Sequence, residues 1–321
     1  MEREFARHPS RGGGGGGGFF LARAGGSGGE NAAVDRLDLP PGAVTGVGSL
    51  PGSDPAAALE WVARWAPELP FWPQLPARSD MLAEGESDHP PPGLAAFLER
   101  ARAGGFPAAV ALKGQVVGPC TLALARGLGP EAGSELAALG ARLAALAARQ
   151  VALLRACGRP ALLWIDEPGL GAWLGAAPPG SALSLLRPIL EAVRAADGWP
   201  GIHTCAPPPW ELLLTLEPEL VSFDAWRDLE AAASDPACRE LVARGAWLGV
   251  GLVPTTAPLE GLRAAELFRR LWLAWSRLGE RVAARTLVTA SCGLGLRPPA
   301  EVAASFGLAR ALGAWVRRVA R

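Results

Sequence analysis

Eight short apolar runs, separated by stretches with helical periodicity, constrain the fold of this 321-residue chain most strongly. The runs are AVTGVGS from Ala43, LPFWPQ from Leu69, AAVALKG from Ala108, ALLWIDEP from Ala161, PGIHTC from Pro200, ELVSFDA from Glu219, AWLGVGLVPTT from Ala246 and RTLVTASCG from Arg285. Strands that alternate with helices are joined by right-handed crossovers and form a parallel sheet. Eight such units in roughly 280 residues are typical of a closed barrel.

The stretches between the runs carry apolar residues at three- and four-residue spacing, which predicts amphipathic helices. One stripe consists of Leu136, Leu139, Leu143 and Leu146, and another of Leu262, Leu267, Leu271, Trp275 and Leu278. Asp54-Pro55 predicts a helix start, and Arg317 and Arg318 suit the last turn of the final helix.

We therefore predict an α/β fold in which residues 41–321 form a single (β/α)8 TIM barrel. An open, doubly wound sheet is the alternative. Such a sheet usually carries a G-x-G-x-x-G loop after its first strand, and the turn Gly46-Val47-Gly48-Ser49-Leu50-Pro51 does not match that pattern.

Residues 1–40 form a glycine-rich tail with little apolar periodicity, and we predict that it is disordered, or that the start codon is assigned too early. The tail lacks the apolar block of a secretory signal. The longest uncharged run, from Pro168 to Leu186, contains prolines and glycines that exclude a membrane-spanning helix. A soluble protein is expected.

The composition narrows the function classes. The 31 basic and 31 acidic side chains give no net charge, which argues against binding to nucleic acid or to an anionic membrane. Half of the residues are apolar and 19% are charged, enough for a large core. The five cysteines are an odd number without a disulfide framework, so we predict a reducing cytoplasm and thiols that are either metal ligands or buried apolar groups.

Polar residues close all eight apolar runs, and in a barrel the carboxyl ends of the strands carry the active site. The endings are Gly48-Ser49, Gln74 followed by Arg78 and Asp80, Lys113-Gly114-Gln115, Asp166-Glu167-Pro168, His203-Thr204-Cys205, Asp224, Thr255-Thr256 and Ser291-Cys292. A single polar ending is weak evidence for an active site, because every strand that leaves the core ends in polar residues. The eight together favour a site at one mouth of a barrel.

The most specific ending is His203-x-Cys205 with Cys292 at the end of the last run. Side chains at positions i and i+2 of a strand point the same way, so His203 and Cys205 face the same side. One imidazole and two thiolates are a zinc-binding set, and three protein ligands leave an open position, as in catalytic zinc sites. The alternative is a hydrogen-bonded core histidine beside two small buried cysteines.

Other candidates have less specific signals. The Asp166-Glu167 pair predicts either a general acid and base or a carboxylate that holds a substrate amine. Trp72 and Trp226 lie by strand ends and are candidates to line a pocket. The remaining cysteines are interpreted as packing residues because no ligand partner is near them in sequence; they are Cys120, Cys157 and Cys238.

These segments resemble the catalytic, C-terminal barrel of cobalamin-independent methionine synthase. The resemblance covers about residues 43–300 and is carried by Thr45-Gly46-Val47-Gly48-Ser49-Leu50-Pro51, Arg78-Ser79-Asp80-Met81, Gly118-Pro119-x-Thr121, Ile165-Asp166-Glu167-Pro168, His203-Thr204-Cys205, Ser222-Phe223-Asp224 and Ser291-Cys292-Gly293-Leu294. The same superfamily includes uroporphyrinogen decarboxylase and zinc methyltransferases that use corrinoid proteins.

The resemblance implies a methyltransferase that binds Zn²⁺ and methylates a homocysteine-like thiol. The implied zinc ligands are His203, Cys205, Asp224 and Cys292, with Asp224 in the place of a glutamate. The implied substrate-binding residues are Val47, Ser49, Gln74, Arg78, Asp80 and Asp166, of which Asp166 would hold the amino group. Coordination to zinc deprotonates a thiol, and the thiolate is the nucleophile that methyl transfer needs.

The methyl donor stays open between folate and a corrinoid protein, because the residues after Gly118-Pro119-Cys120-Thr121 lack the tryptophan that the synthase has there. Two other functions remain. One is a metal-free barrel similar to uroporphyrinogen decarboxylase, in which Arg78 and Asp80 bind a polycarboxylate. The other is a non-catalytic relative that binds zinc or a thiol.

Overall fold

The computed structural model of the protein describes residues 38–87, 89–279 and 281–321. The predicted disordered tail therefore lies outside the described residues, except for its last three positions.

Six of the eight apolar runs form strands, and these six make one parallel sheet whose order follows the chain. The strands are β1 (Leu112–Val117), β2 (Ala161–Asp166), β3 (Gly198–Thr204), β4 (Leu220–Phe223), β5 (Trp247–Val253) and β6 (Thr286–Ala290). Nearly every residue in them is buried, as expected for parallel strands that are covered on both faces. The predicted α/β class is confirmed, with six strands where eight were expected.

Twelve α-helices are present in the described part of the chain. They are α1 (Pro55–Trp65), α2 (Met81–Glu86), α3 (Pro92–Arg102), α4 (Pro119–Ala125), α5 (Gly133–Arg155), α6 (Leu170–Ala176), α7 (Pro179–Ala195), α8 (Trp210–Leu216), α9 (Ala225–Ser234), α10 (Pro236–Ala243), α11 (Ala264–Leu278) and α12 (Pro299–Val319). Asp54 caps α1 by accepting from the Ala56 amide, and Arg317 and Arg318 occupy the last turn of α12, both as predicted.

The first two apolar runs are extended segments that make isolated bridges instead of strands. Val44 bridges Val288 of β6, Ser49 bridges Gln74, and Phe71 bridges Lys113 of β1, all in parallel orientation. The two segments thus connect the last strand of the sheet to the first. The backbone contacts thus run from β1 through β6 and, across the two segments, back to β1. The six-stranded sheet is therefore curled, and the carboxyl ends of its strands surround one mouth.

A small apolar cluster fills the inner side of the curled sheet below this mouth. It takes residues from strands and from both bridging segments: Val47, Leu69, Leu162, Trp164, Leu220, Trp247 and Leu287, with Leu39, Ala43 and Ala111. A much larger cluster lies between the outer side of the sheet and the helices. The side chains that close each strand therefore lie on a packed apolar base.

Helix α5 is the one helix among the described residues that is long and apolar enough to cross a membrane. Its stripe of Leu136, Leu139 and Leu143 is buried, and the helix packs against α7 and β1. This is the packing of a core helix in an α/β protein, in agreement with the expectation of a soluble fold.

The close contact between the first two segments makes a testable prediction. A Cβ atom added at Gly46 would lie 2.2 Å from the Phe71 ring, so Gly46→Ala must displace a fully buried aromatic side chain. We expect a loss of ~1–3 kcal/mol in the free energy of unfolding, measured by urea denaturation. Gly307→Ala in α12 meets no atom within 4 Å and should instead stabilise the protein by ~0.5–1 kcal/mol. Equal effects of the two substitutions would contradict this packing.

Candidate metal centre and cleft

Three predicted metal ligands meet at the mouth of the sheet. The ligand atoms of His203, Cys205 and Cys292 all lie within 4.8 Å of one another. Cys205 Sγ is 3.2 Å from His203 Nε2 and 2.8 Å from Cys292 Sγ. With metal–ligand bonds of ~2.0–2.3 Å, one ion can contact all three atoms after small side-chain adjustments.

The ring of His203 is held from two sides. Its Nδ1 shares a hydrogen bond of 3.0 Å with Ser222 Oγ on β4, and its plane stacks on Trp164 with ring centroids 5.9 Å apart. When the Nδ1 proton is donated to Ser222, Nε2 presents its lone pair toward Cys205. Such a second hydrogen bond is how proteins fix the tautomer and orientation of a ligating histidine.

The two thiols act on each other's protonation. The hydrogen bond between them lowers the pKa of Cys292, with a further contribution from His203, and raises the pKa of Cys205. The pair therefore loses its first proton readily, from Cys292. It loses the second proton only against the repulsion between two thiolates. A divalent cation that bonds to both sulfurs removes this repulsion, since metal coordination favours thiolates.

The three residues lie in a cleft whose volume, counted to its opening at the surface, is about 940 Å³. Val47, Ser49 and Gln74, three of the implied substrate-binding residues, line it together with Asp166 and Trp72. Apolar residues from α2, α3 and α5 form the wall away from the strand ends; they are Met81, Leu94, Leu146 and Leu153. The cleft thus combines a polar end at the strands with an apolar wall, as in small-molecule sites.

Asp166 is the carboxylate at the strand-end side of the cleft. It pairs in register with His203, is 9% exposed, and its Oδ1 has no hydrogen-bond partner among the described residues. Burial raises the pKa of Asp166 to about 6, against the charges of Lys113 and His203. A buried acceptor without a donor costs ~1–3 kcal/mol, so this position is suited to a ligand that donates a hydrogen bond.

Glu167 has a different environment, although it is the next residue. It is fully buried and accepts hydrogen bonds from the Cys120 and Thr121 amides, both at 2.9 Å, and from Thr121 Oγ1 at 2.6 Å. These groups belong to the first turn of α4, and Glu167 is not among the residues that line the cleft. Of the predicted acid–base pair, Asp166 therefore lies in the cleft, whereas Glu167 anchors the first turn of α4.

The other predicted site residues lie outside the three-ligand cluster. Asp224 Oδ1 accepts from the Arg227 amide at 3.2 Å and caps α9, although its charge is near enough to help raise the pKa of Cys205. Arg78 and Asp80 are exposed and do not line the cleft. Arg78 donates to the Ser53 carbonyl and Asp80 caps α2, so the structure assigns both a local role.

Two residues of the site region carry no role in the sequence prediction. Lys113 is fully buried next to the cleft, and burial lowers its pKa to about 7 while the Asp166 charge opposes the shift. Glu84 of α2 lines the cleft, and burial raises its pKa to about 7. The sequence did carry a signal for Lys113 as a site residue, since it is the only lysine of the chain and closes a predicted strand. Glu84 lies within a helix, where a carboxylate carries no such signal.

Comparison with known proteins gives a likeness of structure only. No protein-family model and no curated protein matches the chain. Among solved structures, the GH113 β-mannanase AaManA from Alicyclobacillus acidocaldarius aligns at 16% identity over 88% of this chain and 99% of its own, with a TM-score of 0.48. A protein described as a lyase/mutase from Burkholderia cenocepacia J2315 aligns at 12% identity over 86% and 82%, with a TM-score of 0.41. Mycobacterium tuberculosis tryptophan synthase aligns at 14% identity over 86% and 93%, with a TM-score of 0.30.

The position of Glu167 leads to a prediction that separates anchoring from catalysis. Glu167→Ala leaves two buried amides and one hydroxyl without their acceptor, so we expect the free energy of unfolding to fall by ~2–4 kcal/mol. Chemical denaturation measures this loss, and the affinity of the three-residue cluster for a divalent cation should stay unchanged because the carboxylate does not contact the cluster. Glu167→Gln keeps one acceptor oxygen and should lose less. Full stability of Glu167→Ala would contradict the anchoring role.

Proposed function

We propose that the protein is a zinc-dependent methyltransferase that activates a small, homocysteine-like thiol for S-methylation, with methionine synthesis as its reaction. The observation that carries this proposal is the meeting of His203 Nε2, Cys205 Sγ and Cys292 Sγ at the mouth of the cleft. An imidazole and two thiolates are ligands that zinc prefers, and a three-residue set leaves a position for substrate.

The charge of this set suits the activation of a thiol. Zinc held by the three residues would lower the pKa of a substrate thiol, so that the sulfur reacts as a thiolate at neutral pH. The two cysteine thiolates would balance the +2 charge of the ion. The substrate sulfur therefore keeps its electron density and remains a nucleophile. Asp224, the implied fourth ligand, would have to reach the ion through its other oxygen or release the Arg227 amide that its Oδ1 accepts from.

The polar end of the cleft is suited to the amino-acid part of the substrate. The unpartnered Oδ1 of Asp166 accepts a hydrogen bond from a substrate ammonium group, which satisfies both. Ser49 lies on the opposite segment, where its Oγ already accepts from the Gly295 amide and keeps its hydroxyl proton for a carboxylate. Gln74 and the backbone at Val47 complete this end of the cleft.

The transfer itself needs little from the protein beyond placement. The substrate sulfur attacks the methyl carbon of the donor, the bond from that carbon to the donor breaks, and its electron pair stays on the donor. Holding sulfur and methyl carbon in line contributes most of the rate enhancement in such a displacement. The apolar wall of the cleft excludes water, which keeps the thiolate poorly solvated and reactive.

The donor of the methyl group is a folate or a methyl-corrinoid protein. The apolar wall formed by α2, α3 and α5 offers a folate ring a surface to pack on. Methyl transfer assays with each donor distinguish the two, because the chemistry at the thiol is the same for both.

The decarboxylase-like alternative has less support. It needs several cations at the mouth for a polycarboxylate, whereas Arg149 is the one arginine among the residues that line the cleft, Arg78 lies outside it, and the Lys113 ammonium is fully buried with its own partners. A non-catalytic zinc- or thiol-binding protein would share the metal centre. Tight zinc binding without methyl transfer from either donor would identify that alternative.

We further infer that the two bridging segments are the first two strands of a (β/α)8 barrel, so that the site lies at the carboxyl-end mouth where barrel enzymes carry their chemistry. A cytoplasmic location goes with this function. All five cysteines are free, and a thiolate zinc site needs a reducing compartment.

Metal content tests the proposal. The purified protein should contain about one zinc per chain, and Cys292→Ser should weaken zinc binding at least tenfold, because one of three ligands loses its thiolate. Cys157→Ser is the matched control, since Cys157 also has a partly exposed thiol but lies outside the cluster. Zinc affinity is measured by competition with a chromogenic chelator. A zinc-free wild-type protein that binds homocysteine normally would overturn the mechanism.

A further inference from the structure

Lys113 is an ammonium group inside the apolar interior of the sheet. Its exposed fraction is 0%, and it is the only lysine among 31 basic side chains. Burial of a charged group costs several kcal/mol unless hydrogen bonds and an opposite charge compensate it. The partners of this group therefore indicate what it does in the molecule.

The ammonium of Lys113 is surrounded by compensating groups. Its Nζ donates to the Val47 carbonyl at 2.6 Å and to Gln115 Oε1 at 3.1 Å, and it lies 4.2 Å from the centroid of the Trp164 ring. The charge of Asp166 raises the pKa of Lys113, opposing the effect of burial. Two hydrogen bonds, a cation–π contact and a counter-charge together stabilise the buried cation.

Gln115 continues this network on the same side of β1, two residues further along. While its Oε1 accepts from Lys113, its Nε2 donates to the Trp72 carbonyl at 3.0 Å. A Cβ atom at Gly48 would lie 2.9 Å from this Nε2, so the backbone beside Val47 packs directly on the amide. The two side chains thus reach the backbone of both bridging segments.

These contacts occur where the regular ladder of the sheet is interrupted. Residues 43–50 and 69–75 pair with each other and with β6 and β1 through isolated bridges and a few backbone hydrogen bonds, and not through a regular strand ladder. The same segments carry Ser49 and Gln74, which line the polar end of the cleft. The distance from these residues to the cysteines and histidine therefore depends on these few backbone hydrogen bonds and on the side chains that reinforce them.

We propose that Lys113 and Gln115 are positioning residues, which hold the segments of Ser49 and Gln74 at the distance from the metal centre that the substrate requires. The assignment of those segments to substrate binding rests on the proposed function. The hydrogen bonds of Lys113 and Gln115 are independent of that function.

The charge of Lys113 adds a second effect at the same place. With Asp166 it forms a pair of opposite charges within the interior, and each favours the ionised form of the other. Methionine at position 113 matches the length of the side chain but has neither donor nor charge. Its introduction leaves the Val47 carbonyl and Gln115 Oε1 without their donor.

Amide hydrogen exchange of the full-length variants tests the proposal independently of any ligand. Lys113→Met should increase exchange in residues 43–50 by at least tenfold, and Gln115→Met should do so in residues 69–75. Exchange in β3, β4 and β5 should stay at the wild-type level. Thr289→Val is the control, because Thr289 is equally buried on β6 and its Oγ1 has no partner among the described residues.

Substrate binding is the second readout. Each Met variant should bind zinc with wild-type affinity and bind homocysteine about tenfold more weakly. The double variant should lose less than the product of the two single losses, because both residues belong to one network. Normal exchange in both segments would overturn the proposal, and so would loss of zinc together with the thiol. Failure of all variants and of the wild type to bind homocysteine would instead refute the proposed function and leave the exchange result standing.

Discussion

The 2.8 Å contact between Cys205 Sγ and Cys292 Sγ joins residues 87 positions apart in the chain. Cys205 follows β3 and Cys292 follows β6, with two strands between them. In a flat sheet with strands ~4.8 Å apart, these ends would be ~14 Å from each other. The curl of the sheet is therefore what creates the cluster, and any change that opens the ring of strands and bridging segments separates its ligands.

The interior below the cluster combines an apolar base with a few charged groups near the mouth. Trp164 links the two, since it packs among the apolar residues and contacts both the His203 ring and the Lys113 ammonium. Because Lys113, Gln115 and His203 each have hydrogen-bond partners on other segments, the polar network fixes geometry more than it adds stability. Oδ1 of Asp166, which lines the cleft, has no partner among the described residues.

Sequence patterns predicted much of this arrangement, and the failures have physical reasons. Six apolar runs became strands because buried parallel strands need continuous apolar sequence. The first two runs contain Gly46, Gly48, Pro70 and Pro73, which weaken or interrupt ladder pairing, so they form isolated bridges. His203, Cys205 and Cys292 were predictable because the ends of parallel strands meet at one edge.

The roles of single carboxylates were harder to predict. Asp224 and Glu167 follow strands and precede helices, where a carboxylate either faces the mouth or binds the amides at a helix start. Only the coordinates show that both contact helix amides. Lys113 shows the reverse: it was predicted at the polar carboxyl end of a strand, but β1 begins one residue before it and continues to Val117, so Lys113 is buried within the sheet and donates to the Val47 carbonyl of a bridging segment.

Zinc K-edge X-ray absorption of the purified protein tests the central claim most directly. A first shell with two sulfur atoms and one nitrogen from the protein, which gains a third sulfur when homocysteine is added, is the expected result. A zinc shell of oxygen and nitrogen alone, or a sulfur count that homocysteine leaves unchanged, would contradict it.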